Sequence, residues 1–193
     1  MKIITKIALI NVIMFIITMY IFPNIFNLLV LYPIGDSKFI FYQVLTSMFL
    51  HGSFNHIIFN MITLLSFGYY LEDNLGKNKL LSLYLLCGII PNIIWMILMN
   101  SPAIGASGAI CGLITSYYLL NTESKVYLFF IIPLKIKYFI YGFALFSLIF
   151  SILQYFDSTN GFGIAHLIHL NGIIFGYLIT KYWLKHNLIT NNN

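Results

Sequence analysis

The chain has 193 residues, of which 60% are hydrophobic and only 8% are charged. Soluble domains carry about 25% charged residues, so this composition excludes an ordinary water-soluble globular protein. The mean hydropathy of +0.91 supports the same conclusion. The net charge of +5 does not indicate a nucleic-acid-binding protein, because the lysines are scattered at the ends of apolar runs and form no patch.

Apolar segments of roughly 16–22 residues alternate with short polar stretches, and a helix needs about this length to cross the hydrocarbon core of a bilayer. The segments lie at 4–22, 56–71, 80–99, 105–120, 138–156 and 164–183. No part of the sequence alternates apolar and polar residues over ~10 positions, as the strands of a membrane barrel do. We therefore predict an all-α fold, in which residues 1–193 form a single polytopic membrane domain of six transmembrane helices.

The distribution of lysines orients these spans. If the N-terminus is inside the cell, only Lys38 falls in an outer segment. All other lysines then fall in inner segments: Lys2, Lys6, Lys77, Lys79, Lys125, Lys135, Lys137, Lys181 and Lys185. Because inner loops of membrane proteins carry an excess of positive charge, we predict that both termini are cytoplasmic. We expect the host membrane to be a bacterial inner (plasma) membrane.

The connection between the first two spans, residues 23–55, is long and lies on the outer side in this orientation. Its segment 39–50 is apolar and aromatic, but it is too short and too broken to cross a bilayer. Aromatic side chains suit the depth of the membrane interface. We therefore predict an interfacial loop between helices one and two.

Polar clusters interrupt the outer ends of spans two, four and six, where polar groups are costly and by default indicate a functional site. The clusters contain His56 and Asn60, then Gly105 and Ser107, and finally His169. All these spans run from outside to inside. Because Ser107, Asn60 and His169 lie only about two to five positions into their spans, at 1.5 Å per residue they share a similar depth.

Glycines predict how spans four and six approach each other. The pairs are Gly108 with Gly112, and Gly172 with Gly176. This spacing of small residues lets membrane helices pack closely. Ser107 adjoins the first pair, and His169 precedes the second by three residues on the same helix face. If these faces pack together, the hydroxyl and the imidazole come within reach of each other.

A serine hydroxyl becomes a good nucleophile when a neighbouring base accepts its proton, and histidine has a suitable pKa for this role. Spans four and six contain no Asp or Glu, so Ser107 and His169 would form a dyad without a carboxylate. Acyl transfer also needs hydrogen-bond donors for the oxyanion. The candidates are the Asn60 amide, His56 and the backbone N–H of Ser107.

Each of these signals also has an ordinary structural interpretation. Glycine and serine favour close helix packing, and Asn60 could bond a neighbouring helix. His166 and His169, one helical turn apart, could bind a metal ion together with His51 or His56. The tighter H-E-x-x-H pattern of zinc sites is absent. We therefore predict no metal site and no cofactor.

At these residues the sequence resembles the rhomboid intramembrane proteases, over roughly residues 42–177. The stretch Gly105-Ala-Ser-Gly108 matches the G-x-S-G nucleophile motif, and the stretch from His169 to Gly176 matches the H-x-x-G-x-x-x-G motif. The glycine spacing selects His169 rather than His166 as the base. The resemblance implies a Ser107–His169 dyad with Asn60 and His56 near the oxyanion.

The resemblance also implies a function. It implies cleavage of transmembrane or juxtamembrane segments of membrane-protein substrates, at an active site open to the outer face. A non-catalytic relative that binds membrane helices is one alternative, although its expected signature is loss of the serine or the histidine. A small transporter is another, although transporters commonly show internal repeats and polar residues along the whole pathway.

Two positions depart from the family pattern. Family members usually carry Trp-Arg where this chain has Tyr42-Gln43, and the Arg is expected to pair with the acid at Glu72. Gln43 can hydrogen-bond Glu72 but cannot neutralise it, and the predicted spans place Glu72 at the inner end. The residue four after the nucleophile is often an aromatic ring that stacks on the catalytic histidine, and here it is Cys111.

Overall fold

The structure is a computed structural model that describes residues 1–128, 131–157 and 163–189. Within these residues the fold is dominated by helices. In chain order they are α1 (Ile3–Ile16), α2 (Pro23–Leu29), α3 (Gln43–Thr46), α4 (Phe54–Leu75), α5 (Lys77–Leu98), α6 (Ser107–Leu120), α7 (Ile136–Phe156) and α8 (His166–Lys185). A π-helical stretch, Ile17–Ile21, prolongs α1, and a 3-10 helix, Ser47–Phe49, follows α3.

A helix corresponds to each predicted span, and no boundary differs by more than four residues when the π-helical stretch is counted with α1. By length and composition, the helices of the described residues that could cross a membrane are Ile3–Ile21, Lys77–Leu98 and Ile136–Phe156. A bent pair, Gln43–Phe49 with Phe54–Leu75, adds a fourth candidate. Helix α6 has only 14 residues, and histidines and lysines make α8 more polar. The count of six spans therefore stays a prediction.

Helix α6 lies at the centre of the bundle. It packs against α4, α5 and α8, and it is buried throughout Gly108–Ser116 and again at Leu119 and Leu120. A helix that is apolar all round is typical of such a central position. By contrast, α7 packs mainly on α8 and buries few residues. This arrangement brings the N-terminus of α6 into the interior and leaves α7 at the edge.

The connection between α1 and α4 is organised by the buried amide of Gln43. Its Oε1 accepts hydrogen bonds from the backbone N–H groups of Tyr32 (3.4 Å) and Ile40 (3.1 Å). Its Nε2 donates to the backbone carbonyls of Leu28 (3.2 Å) and Lys38 (2.9 Å). Because buried backbone polar groups need partners, this one side chain fixes the course of the segment.

Glu72 forms hydrogen bonds with the start of α1 and not with Gln43. The proposed hydrogen bond between Gln43 and Glu72 is wrong, because Gln43 precedes the N-terminal end of α4 whereas Glu72 lies near its C-terminal end. Glu72 instead accepts hydrogen bonds from the N–H groups of Ile3 (2.8 Å) and Ile4 (3.0 Å). These first N–H groups of α1 have no intrahelical acceptor. The carboxylate therefore caps α1 and fastens it to α4.

We expect Glu72→Ala to lower the free energy of unfolding by ~1–2 kcal/mol, because the N–H groups that it caps lose their acceptors. Equilibrium unfolding in detergent micelles measures this loss. Asp73→Ala is the matched control, since Asp73 pairs with Lys2 at an exposed position and such pairs contribute about 0–1 kcal/mol. Equal losses for the two variants would contradict the capping role of Glu72.

The structure also contains a small β-hairpin that the all-α prediction missed. Strand β1 (Lys125–Leu128) pairs antiparallel with β2 (Ile132–Lys135) between α6 and α7, with Lys125 opposite Lys135. Four residues per strand give too short a pattern to be recognised beside long apolar runs. The fold is mostly helical, as predicted, and the described residues also include this two-stranded sheet. That residues 1–193 form one domain stays a prediction, because 129–130, 158–162 and 190–193 lie outside the described residues.

Candidate active site

Ser107 is the first residue of α6. The loop before it is joined to the connection between α1 and α4, because the Gly105 N–H donates to the Ser47 carbonyl at 2.9 Å. Leu31 and Ala103 also exchange backbone hydrogen bonds of 3.1 and 2.9 Å. The first N–H groups of a helix are free donors and carry the positive end of the helix dipole. Ser107 therefore lies where a developing negative charge is stabilised.

Helices α6 and α8 approach each other at the predicted glycines. A Cβ atom added at Gly172 would overlap the Gly108 carbonyl oxygen and would lie 3.1 Å from the Cβ of Cys111. A Cβ at Gly176 would lie 2.6 Å from both the Cα and the carbonyl oxygen of Gly112. There is no space for side chains at these positions, so the backbones pack directly on each other.

This close approach brings Ser107 and His169 together. The distance between Ser107 Oγ and His169 Nε2 is 2.7 Å. The hydroxyl donates to the imidazole in the tautomer whose ring proton is on Nδ1. His169 Nδ1 is buried and has no hydrogen-bond partner within the described residues. In the part of the chain that the structure describes, the imidazole is therefore anchored by a single polar contact, without a carboxylate behind it.

The two side chains line a cavity of ≈ 570 Å³, together with Asn60, His56 and Trp95. A volume of this size is typical of ligand-binding sites. Asn60 is 7% exposed, and its Nδ2 has no hydrogen-bond partner in the part of the chain that the structure describes. A buried donor without a partner is costly, so this amide is available to an oxygen atom that enters the cavity.

Gly105 lies beside His56. Its φ of 118° is accessible to glycine but rarely to other residues. A Cβ there would lie 2.9 Å from His56 Nε2 and 3.8 Å from Ser107 Oγ. Glycine is therefore required for the loop to pass between the imidazole of His56 and the nucleophile.

His51 lies in the turn before α4 and packs edge-on against His56, with ring centroids 4.8 Å apart. The pKa of His51 is lowered to about 4, chiefly because burial disfavours the charged imidazole and also because of the neighbouring His56. His51 is therefore neutral near pH 7 and adds no positive charge to this end of the cavity.

The other candidate ligands are not arranged around a metal ion. Among residues 1–128, 131–157 and 163–189, no group of three or more His, Cys, Asp or Glu side chains could hold one. Cys87 and Cys111 are free and buried. His166 is buried, with its ring 5.3 Å from that of Phe146. The imidazole of His169, not that of His166, contacts Ser107.

Two side chains of α7 reach the site and were not predicted. The ring centroid of Phe143 is 5.7 Å from that of His169. Gln154 lines the cavity, and its Nε2 donates to the Ile164 carbonyl at 3.1 Å, which joins α7 to the segment before α8. The helical spacing of the phenylalanines at 139, 143, 146 and 150 indicates a common face, but spacing alone does not tell which helix that face contacts.

Comparison with known proteins identifies the family of the chain. The Rhomboid domain matches residues 38–186, which is most of the chain. The chain belongs to the rhomboid family. Together with its long apolar helices, this membership makes it an integral membrane protein.

Individual rhomboid relatives match over different lengths. The chain is 30% identical to YdcA of Bacillus subtilis (strain 168) over 160 residues, or 77% of the chain and 70% of YdcA. It is 30% identical over 143 residues to the rhomboid protease GlpG of Photorhabdus laumondii, covering 74% of the chain and 48% of GlpG. It is 33% identical over 88 residues to the rhomboid protease GluP of Bacillus subtilis, covering 45% of the chain and 17% of GluP. The matches therefore cover less than half of the length of GlpG and of GluP.

Proposed function

We propose that this rhomboid is an intramembrane serine endopeptidase that cleaves transmembrane or juxtamembrane segments of membrane proteins. The observation that carries the proposal is the 2.7 Å hydrogen bond between Ser107 Oγ and His169 Nε2, beside a cavity large enough for part of a peptide. The names of the relatives GlpG and GluP, both rhomboid proteases, support the same activity.

The proposed reaction begins with Ser107. As Oγ attacks the substrate carbonyl, His169 Nε2 accepts the hydroxyl proton and a tetrahedral oxyanion forms. Collapse of this intermediate breaks the C–N bond, and the leaving amine takes the proton from His169. An acyl ester then remains on Ser107. A water molecule attacks the ester and gives its proton to His169, which returns a proton to Ser107 Oγ as the carboxyl product leaves.

The oxyanion of this intermediate needs donors placed in advance. The Asn60 Nδ2, which is buried and without a partner in the described residues, is the strongest candidate. The backbone N–H of Ser107 at the N-terminus of α6 is the second, and His56, which lines the same cavity, is the third. No cofactor enters the reaction.

We expect Asn60→Ala to lower kcat by ~10²–10³-fold with little change in KM, because the lost donor acts mainly on the charge that develops in the transition state. Steady-state cleavage kinetics measure this effect. Asn74→Ala makes the same change at the other end of α4, where the amide donates to the Tyr70 carbonyl, and serves as control. A change in KM alone for Asn60→Ala would contradict the oxyanion role.

The proposed arrangement in the membrane follows from the lysines. The helices that cover the predicted spans form six crossings, with both termini in the cytoplasm. Ser107 and His169 lie near the N-terminal ends of α6 and α8, which face outward in this orientation. Hydrolytic water enters from the outer face of a bacterial plasma membrane. The substrate helix enters laterally from the lipid bilayer, between spans.

Cleavage of a labelled transmembrane substrate in proteoliposomes tests the proposal. We expect the wild-type protein to cut it, Ser107→Ala to be inactive, and a chelator to leave the wild-type rate unchanged. Loss of activity with chelator would indicate a metal-dependent reaction instead. If the wild-type protein binds several substrates and cuts none, the non-catalytic helix-binding function replaces this proposal.

A further inference from the structure

The imidazole of His169 needs more than its hydrogen bond to stay in line with Ser107. Nε2 contacts Ser107 Oγ at 2.7 Å, whereas Nδ1 has no hydrogen-bond partner among the described residues. A histidine side chain has two rotatable bonds, and one polar contact leaves the tilt of the ring free. Packing on the faces of the ring must therefore supply the remaining restraint.

Helix α6 does not supply an aromatic ring for this packing. At the position one turn after Ser107 it carries Cys111, whose Cβ lies close to Gly172 at the crossing with α8. The ring beside His169 comes from α7. The centroids of Phe143 and His169 are 5.7 Å apart, and the ring planes are inclined by 31°. This distance falls within the range of attractive aromatic pairs.

Phe143 is itself held in place. Its ring stacks on that of Phe139, one turn earlier in α7, with a centroid distance of 5.9 Å and an interplanar angle of 8°. It is half-buried and packs against the main hydrophobic core. One turn further outward, Phe146 contacts a different imidazole, that of His166, at 5.3 Å. Phe143 and Phe146 therefore have distinct partners on α8.

We infer that Phe143 is a positioning residue for the reaction, which holds the imidazole of His169 in line with Ser107 from a helix that carries no catalytic group. The inference rests on the proposed function. Its consequence is that the reactivity of Ser107 depends on the position of α7. Since a misplacement of about 1 Å in a catalytic group can lower a rate ~10²-fold, removal of this ring has a measurable effect.

The test compares Phe143→Ala and Phe143→Tyr with Phe146→Ala as matched control. Two readouts are used: cleavage kinetics, and the second-order rate at which a fluorophosphonate labels Ser107. We expect Phe143→Ala to lower kcat and the labelling rate by roughly 10–100-fold with KM nearly unchanged. Phe143→Tyr keeps an aromatic ring and should retain both rates within about threefold. Phe146→Ala also removes a phenylalanine ring from α7, but this variant should retain both rates.

The fluorophosphonate rate separates this inference from loss of folding and from loss of the proposed function. If the wild-type protein is labelled at Ser107, and Phe143→Ala is labelled as fast, Phe143 has no positioning role. If Phe143→Ala and Phe146→Ala slow labelling equally, the effect is general destabilisation of α7, and the inference is wrong. If the wild-type protein is neither labelled nor active, the proposed function fails first and the inference fails with it.

Discussion

His169→Ala should lower the rate of substrate cleavage by at least ~10⁴-fold, because the loss of the general base of a serine hydrolase leaves only binding and oxyanion stabilisation. His169 Nε2 is the nitrogen that contacts Ser107 Oγ, at 2.7 Å. Folding should persist, since the imidazole makes no other hydrogen bond among the described residues that an alanine would break. Cleavage kinetics at matched protein concentration measure the effect.

His166→Ala is the matched control for His169→Ala, because both histidines lie in the first turn of α8. The ring of His166 is 6.0 Å from that of His169 and packs against Phe146 and Phe150. We expect this variant to retain cleavage within about tenfold, because it alters packing and leaves the base in place. If His166→Ala abolished cleavage and His169→Ala retained it, the assignment of the two histidines would be reversed.

Gly172→Leu should both destabilise the protein and abolish its activity. Any Cβ at this position overlaps the Gly108 carbonyl oxygen, which is backbone and cannot rotate away. Helices α6 and α8 would have to separate, and overpacking of this kind costs about 1–3 kcal/mol or more. Separation would also lengthen the contact between Ser107 and His169. Thermal unfolding in detergent and cleavage assays of the same preparation measure the two effects.

Gly142→Leu is the matched control for this change. Gly142 is also a glycine within a predicted span, but no neighbouring atom lies within 4 Å of an added Cβ. We expect it to leave both the unfolding temperature and the activity close to those of the wild-type protein. Equal damage from the two substitutions would show that leucine in a membrane helix, rather than the crossing of α6 and α8, is responsible.

Much of the helical framework was predictable from the sequence, because long apolar runs mark helices whatever their neighbours are. The glycine spacing also predicted a close approach of two helices. Small residues on facing turns are enough to let two helix backbones approach each other, so the spacing of the glycines in the sequence indicates this contact. The structure accordingly has Gly172 against Gly108 and Gly176 against Gly112. The catalytic roles of Ser107 and His169 stay predictions.

Three other contacts were not predictable in the same way. Gln43 lacks the charge of the expected arginine, yet its amide satisfies four backbone groups of its own connection. Glu72 caps α1 because the chain returns its N-terminus to the end of α4. Phe143 contacts His169 only because α7 packs on α8. Each contact depends on tertiary packing, and no local pattern in the sequence encodes it.

The most direct test of the central claim is to map the residue that a fluorophosphonate modifies in the purified, folded protein. We predict one adduct, on Ser107, and loss of that adduct in His169→Ala, because the reagent needs an oxygen nucleophile activated by a base. Labelling does not require the natural substrate. An adduct on another residue, or equally fast modification of Ser107 without His169, would contradict the proposed dyad.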